Sequence, residues 1–240
     1  MKKIKWNDVR LVLMIGVMVF LYSFSTKRNE ARKIVKTDVE FTGENNPFVT
    51  HETVNNLLIQ NFNGASTIQK DKLDLNSLEH TLDKNKMIEK VEVYATIDGT
   101  LKALVTQKTP IARVSNEEGS YYIDYQGEEM PLSDTYTARV PLLSGEVNEE
   151  NRAGLVEVFK KIHDDDFLKK NITGVQILPT GSMIMTNRNY DYRILFGKSI
   201  NVDKKFNNYK AFFHLALIDT LIGNYKLINL KFTQQVVCTK

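Results

Sequence analysis

Cysteine is nearly absent from these 240 residues; Cys238 is the only one. That excludes an intrachain disulfide, and with it a disulfide-framed fold or a cysteine-rich zinc module. The four histidines, His51, His80, His163 and His214, form no i, i+4 pair and have no cysteine beside them in sequence, which argues against a metal site. There is no G-x-S-x-G elbow, no phosphate loop and no dinucleotide fingerprint. Nucleophile, base and oxyanion donors therefore cannot be assembled, and no catalytic residue, metal ligand or cofactor is assigned. The acidic run His163-Asp164-Asp165-Asp166 reads as a helix exit and solvated turn, not as a cation site. No unit of roughly 20–50 residues repeats, which excludes a solenoid. No long disordered tract occurs. The net charge is only +3, and the basic excess surrounds the N-terminal segment. That distribution suits anionic headgroups and not nucleic acid, and no basic stripe with interleaved aromatics appears later.

What is present begins with Leu11 to Phe24, fourteen residues of which only Gly16 and Ser23 are not plainly apolar. A bilayer span takes about 17–25 helical residues, so the run needs help. Val9 and the stem of Arg10 extend it, and Trp6 and Tyr22 sit where interfacial aromatics are expected. The reading is a short cytoplasmic tail over 1–8, a transmembrane helix over 9–25 and a spacer over 26–33. A cleaved signal peptide is the rival, with Ser23-Phe24-Ser25 as its site, although bulky Tyr22 disfavours cleavage. Basic residues flank the run on both sides, so charge counting leaves orientation open. The short leading tail favours translocation of everything after it.

The remaining chain reads as α+β. Ile34 to Phe41 marks a strand. Thr50 caps an amphipathic helix over 50–62, stopped by Asn63-Gly64. Leu75, Leu78 and Leu82 line a second helix, with Asn76 and Glu79 at capping-box spacing. Ile88 to Ile97 alternates, Asp98-Gly99 makes a hairpin turn, and Leu101 to Val105 returns. Strand, helix, helix, strand, strand is most compactly a three-stranded sheet with two helices on one face. A second unit follows without a linker. It has a hairpin turn at Asp124-Tyr125-Gln126-Gly127 and a short apolar segment at Val140–Leu143. A helix spans 148–163, and strands run over 174–178, 182–186 and 190–196. An aromatic-rich helix covers 202–219, and a last strand runs from Leu227 to Val237.

Several stretches, taken in order, resemble the FtsQ/DivIB family of bacterial cell-division proteins. They are Leu78–Leu82 with Met87–Val93; Leu101–Val105 with Lys108-Thr109-Pro110-Ile111-Ala112; Ile123-Asp124-Tyr125-Gln126-Gly127; and Val140-Pro141-Leu142-Leu143-Ser144-Gly145. Phe196-Gly197 and Leu230-Lys231-Phe232 complete the series. No single motif is specific; their order of occurrence is. The resemblance implies a transmembrane helix, then a POTRA domain (β-α-α-β-β) over 34–110, then a second mixed β domain with packed helices over 111–240. It implies a non-catalytic divisome scaffold in the bacterial inner membrane, single-pass, with its bulk in the periplasm at the division septum. It implies no small-molecule substrate, and partners that are small coiled-coil proteins of the FtsB and FtsL type. One departure is the very short cytoplasmic tail.

In that picture the partner adds a strand to the edge of the last β-strand. The residues expected to bind it are Asn229, Leu230, Lys231, Phe232, Thr233, Gln234, Gln235 and Val236. Their alternating character without proline agrees with an edge that offers free N–H and C=O groups. Phe232 is the chosen anchor, against the alternative that it faces the core. Two other functions stand beside this one. A membrane-anchored envelope hydrolase or transferase predicts a pocket of converging polar groups. A POTRA protein of barrel assembly requires a following barrel, which the helical patterns after residue 110 disfavour.

Overall fold

The first element is a single helix, α1 (Trp6–Glu30), within a computed structural model that describes residues 6–30, 33–43, 47–60, 73–116 and 119–240. At about 1.5 Å per residue it is roughly 37 Å long. Its stretch Val9–Arg28 is long and apolar enough to cross a membrane. Leu11, Ile15, Met18 and Phe20 are all exposed on it, which is how a lipid-facing helix looks without lipid. The helix does not stop at Ser25. Thr26 donates its hydroxyl back to Tyr22 O (2.9 Å), and Lys27 and Arg28 sit in the last turn, where cations suit the helix dipole.

The rest divides into two compact units, cut after Gln107, with Asn46–Phe48 joining the second. The first unit holds β1 (Lys36–Thr42), α2 (His51–Gln60), α3 (Leu75–Asp83), β2 (Ile88–Ala95) and β3 (Thr100–Gln107). The sheet order is β1-β3-β2, with β1 parallel and β2 antiparallel to the central β3. Alternation puts Leu101, Ala103 and Val105 of β3 wholly inside. Val54 and Leu58 of α2 and Leu78 and Leu82 of α3 complete this core. Thr50 accepts from Thr53 N (3.1 Å) and caps α2. The expected stop at Asn63-Gly64 lies outside the described residues.

The cap of α3 differs from expectation. Asp74, not Asn76, is the N-cap and accepts from Ser77 N (3.1 Å). An aspartate two residues earlier caps equally well. Glu79 is thereby released from capping, and its carboxylate accepts from Val93 N of β2 at 2.7 Å.

Nine strands form the sheet of the second unit, in the order β12-β11-β10-β9-β8-β7-β4-β5-β6 among the described residues. They are β4 (Pro110–Asn116), β5 (Gly119–Asp124), β6 (Glu129–Met130), β7 (Leu142–Ser144), β8 (Ile172–Ile177), β9 (Met183–Asn187), β10 (Arg193–Gly197), β11 (Leu227–Asn229) and β12 (Val237–Thr239). Among the described residues three α-helices accompany them: α4 (Glu149–Asp164), α5 (Asp166–Asn171) and α6 (Val202–Ile218), with a short 3-10 turn at Ile222–Asn224. Leu155, Val158, Phe159 and Ile162 of α4 and Phe206, Tyr209 and Phe213 of α6 share one core with Val175, Met185, Ile194 and Ile228 of the sheet.

Two carboxylates fix local geometry here. Asp124 is 2% exposed. It takes the Lys108 ammonium at 2.6 Å and the N–H groups of Gln126 (3.0 Å) and Glu128 (2.8 Å). The turn closes on Gly127, whose φ of 91° suits glycine and where a Cβ would stand 3.0 Å from Val156. Asp165 corrects the reading of the acidic run as a mere exit. It caps α5 through Phe167 N and Leu168 N (3.0 Å each) and pairs with Lys210 at 2.6 Å. Burial pushes its pKa up, but Lys210 and the two N–H groups outweigh that and hold it below the ordinary carboxylate value.

Asp124→Ala strands the Lys108 ammonium and two N–H groups. We expect it to cost about 3 kcal/mol, read as a lower urea midpoint for the second unit. Asp165 stabilises fully above the unfolded carboxylate pKa of about 4, and this contribution is lost as pH falls through its lower folded value. Asp165→Asn should flatten the acid limb of the stability-versus-pH curve.

Candidate partner-binding edge

The expected single strand from Leu227 to Val237 is two strands. β11 ends at Asn229, and its side-chain Oδ1 accepts from Lys231 N (3.0 Å). Asparagine readily makes this bond to its own backbone two residues on, and the bond turns the chain out of the ladder. Leu230 N still bonds Leu195 O of β10 (2.9 Å). Further on, Asn208 of α6 donates to Thr233 O (3.2 Å) and holds the connecting loop on the helix. The chain then re-enters the sheet as β12, antiparallel to β11 in the register Leu227↔Thr239, Ile228↔Cys238, Asn229↔Val237.

The edge is therefore not where it was expected. β11 lies between β10 and β12 and is paired on both sides. β12 ends the sheet, and no strand of the described residues pairs with its outer side. Thr239 accepts from Lys226 N (2.8 Å), so it faces inward. Because successive residues of a strand turn their backbone groups to opposite sides, Cys238 presents its N–H and C=O outward.

The eight expected binding residues separate accordingly. Leu230, at 1% exposure, belongs to the core; it packs inward and is removed from the binding surface. Asn229 is half-buried within β11, and its side chain is occupied by the turn. Thr233 is half-buried with its carbonyl already used, and Val236 packs against the core. Lys231, Gln234 and Gln235 are exposed. Phe232 is 52% exposed and does not face the core. Sequence reasoning missed Val237, 40% exposed, and the outward backbone of Cys238. The signal was there: Thr233-Gln234-Gln235 interrupts the apolar alternation, and Val-Cys-Thr resumes it. Burial pushes the Cys238 thiol pKa up, which leaves it a small apolar side chain with little thiolate character.

Among the described residues no three of His, Cys, Asp and Glu converge on a common point. His51 stands edge-on to Phe41, and His163 edge-on to Tyr125.

The model of a family described as FtsQ/DivIB, C-terminal related, matches residues 109–239. The chain belongs to the FtsQ/DivIB family. A second family model, the POTRA-like domain, matches residues 35–106. Membership makes this a bacterial cell-division protein, with a POTRA-like domain followed by the β-rich domain of the FtsQ/DivIB family. Comparison with curated proteins gives no match. Among solved structures it is similar to the major extracytoplasmic domain of the trans isomer of the cell-division protein DivIB from Geobacillus stearothermophilus. That alignment covers 47% of this chain and 95% of the other, at 14% identity and a TM-score of 0.30.

Leu230 and Phe232 are neighbours with opposite environments, which gives a direct check. Leu230→Ala should destabilise the second unit by about 2–5 kcal/mol, whereas Phe232→Ala should stay within about 0.5 kcal/mol of the parent. Urea unfolding followed by proteolysis of the second unit measures both.

Proposed function

We propose that the chain is a non-catalytic divisome scaffold that captures small coiled-coil division proteins of the FtsB and FtsL type by strand addition to the outer side of β12. In this reading residues 1–8 stay in the cytoplasm, 9–25 cross the inner membrane and 26–33 lead out of it. The POTRA domain (34–110) and the β domain (111–240) work in the periplasm at the septum. What supports it is the outermost strand of a nine-stranded sheet with one side unpaired among the described residues, with exposed Val237 within it and exposed Phe232 shortly before it in sequence.

The magnitudes assign the parts. Cys238 turns one donor and one acceptor outward, and each backbone bond nets roughly 0.5–1.5 kcal/mol. Two such bonds set the partner's direction and register but do not meet the cost of association. Burying an exposed phenylalanine contributes about 1.5–3 kcal/mol, so Phe232 is the anchor and the strand supplies register. Lys231, Gln234 and Gln235 form the polar rim.

The test is capture of a coiled-coil division partner by the full chain in detergent. Phe232→Ala should weaken capture at least about tenfold, since roughly 1.4 kcal/mol corresponds to tenfold. Cys238→Pro, which deletes the outward N–H, should do the same. Undiminished capture by both variants rejects the edge mechanism. Depletion in the native host should produce filaments of undivided cells, seen by microscopy; normal division would reject the scaffold role.

A further inference from the structure

Lys205 lies in the first turns of α6 and is 4% exposed. Its ammonium donates to Lys198 O at 2.7 Å and lies 4.7 Å from the centre of the Phe196 ring. An ammonium has three donors, and a buried charge is ordinarily matched by an opposite one. The neighbouring acid Asp203 turns to Lys161 at 2.8 Å instead. Burial without an acid lowers the Lys205 pKa.

The amine borders a pocket of about 300 Å³, whose lining includes Ser182, Lys198, Asn201, Lys205, Lys231 and Thr233 and contains no aspartate or glutamate. Gly197 keeps this space open. Its φ is 76°, and a Cβ there would stand 3.0 Å from Lys231 Cγ and 3.8 Å from Lys205 Nζ. The N-cap of α6 is Asn201 in the left-handed region (φ 54°), with no side-chain cap bond. That cap leaves the first-turn N–H groups of a seventeen-residue helix without a side-chain acceptor, where an anion is favoured.

We propose that this pocket binds a small oxyanion, a phosphate or carboxylate group, between the Lys198 and Lys205 ammonium groups and the first turn of α6. The anion supplies the acceptors Lys205 lacks, and Ser182 and Thr233 of the lining carry further hydroxyl donors. The site goes beyond the scaffold reading. It shares the lining residues Lys231 and Thr233 with the expected partner surface but uses neither Phe232 nor the outward backbone of β12. The variants that test it, at Lys198 and Lys205, lie outside that surface, so the two tests are separable.

The test is hydrogen exchange on the full chain in detergent at constant ionic strength, with sodium phosphate, sodium acetate or sodium chloride. Phosphate or acetate, but not chloride, should slow exchange in peptides covering 198–206. The slowing should be about tenfold at ten times the half-saturating concentration. A response to phosphate alone assigns a phosphate-bearing ligand; a response to acetate assigns a carboxylate. Lys205→Met keeps the buried stem and removes the charge, and Lys198→Ala changes an exposed position that leaves the core intact. Both should abolish the effect. Equal slowing by chloride, or slowing that survives in Lys198→Ala, overturns the proposal.

Discussion

A β-sheet that does not close must end, and its last strand keeps one side of its backbone unpaired. In the second unit the two ends are β6, two residues long, and β12, three residues long. Both are short, and short edges limit indiscriminate pairing. The seven strands between them share a core with α4 and α6, so β12 is displayed on a packed support. Its neighbour β11 has no such freedom, because β10 and β12 take both of its sides. The functional proposal rests on that distinction. In that proposal the backbone offered belongs to the strand that follows the polar loop, and the apolar anchor is assigned to the loop itself.

Satisfied polar groups hold this support in one arrangement. Asp124 answers one ammonium and two N–H groups where the second unit begins. Deeper in, Tyr209 accepts from Asn187 Nδ2 and bonds Tyr192, both at 2.9 Å. Burial pushes both tyrosine pKa values up, so the hydroxyls stay protonated. The same network ties α6 to β9 and to the chain just before β10. Partly satisfied, it would cost more than an apolar core; fully satisfied, it specifies a single packing. Two groups of this unit stand apart from that pattern. Lys205 is a buried charge with one oxygen acceptor and no acid beside it, and Arg152 Nε is buried without a hydrogen-bond partner; groups of that kind call for an explanation.

Much of this was legible in advance. The apolar run around Leu11–Phe24 announced α1, and the three- and four-residue steps of Val54, Leu57 and Leu58 and of Leu155, Phe159 and Ile162 announced α2 and α4. Asp98-Gly99 and Asp124–Gly127 marked their turns, since few residue pairs accept that geometry. The order of motifs carried the family. What escaped was decided by competition between near-equal local choices. Asp74 and Asn76 are both good caps; the earlier one took the position, and Glu79 accepts instead from Val93 N of β2. Asp165 is acidic surface by composition, and it became a cap because Phe167 and Leu168 bury the turn that follows.

The amino-acid pattern by itself determined a membrane-length helix, a β-α-α-β-β unit and a mixed β unit, because periodic burial and turn chemistry act within a few residues. Which strand would end the sheet was decided only by the tertiary structure. Residues 227–239 carry enough apolar alternation for one long strand or two short ones. The choice fell to partners far away in sequence, Leu195 taking Leu230 N and Asn208 taking Thr233 O. A local pattern carries no information about which distant carbonyl or amide will be within 3 Å or so of it, and that distance set where the free edge lies.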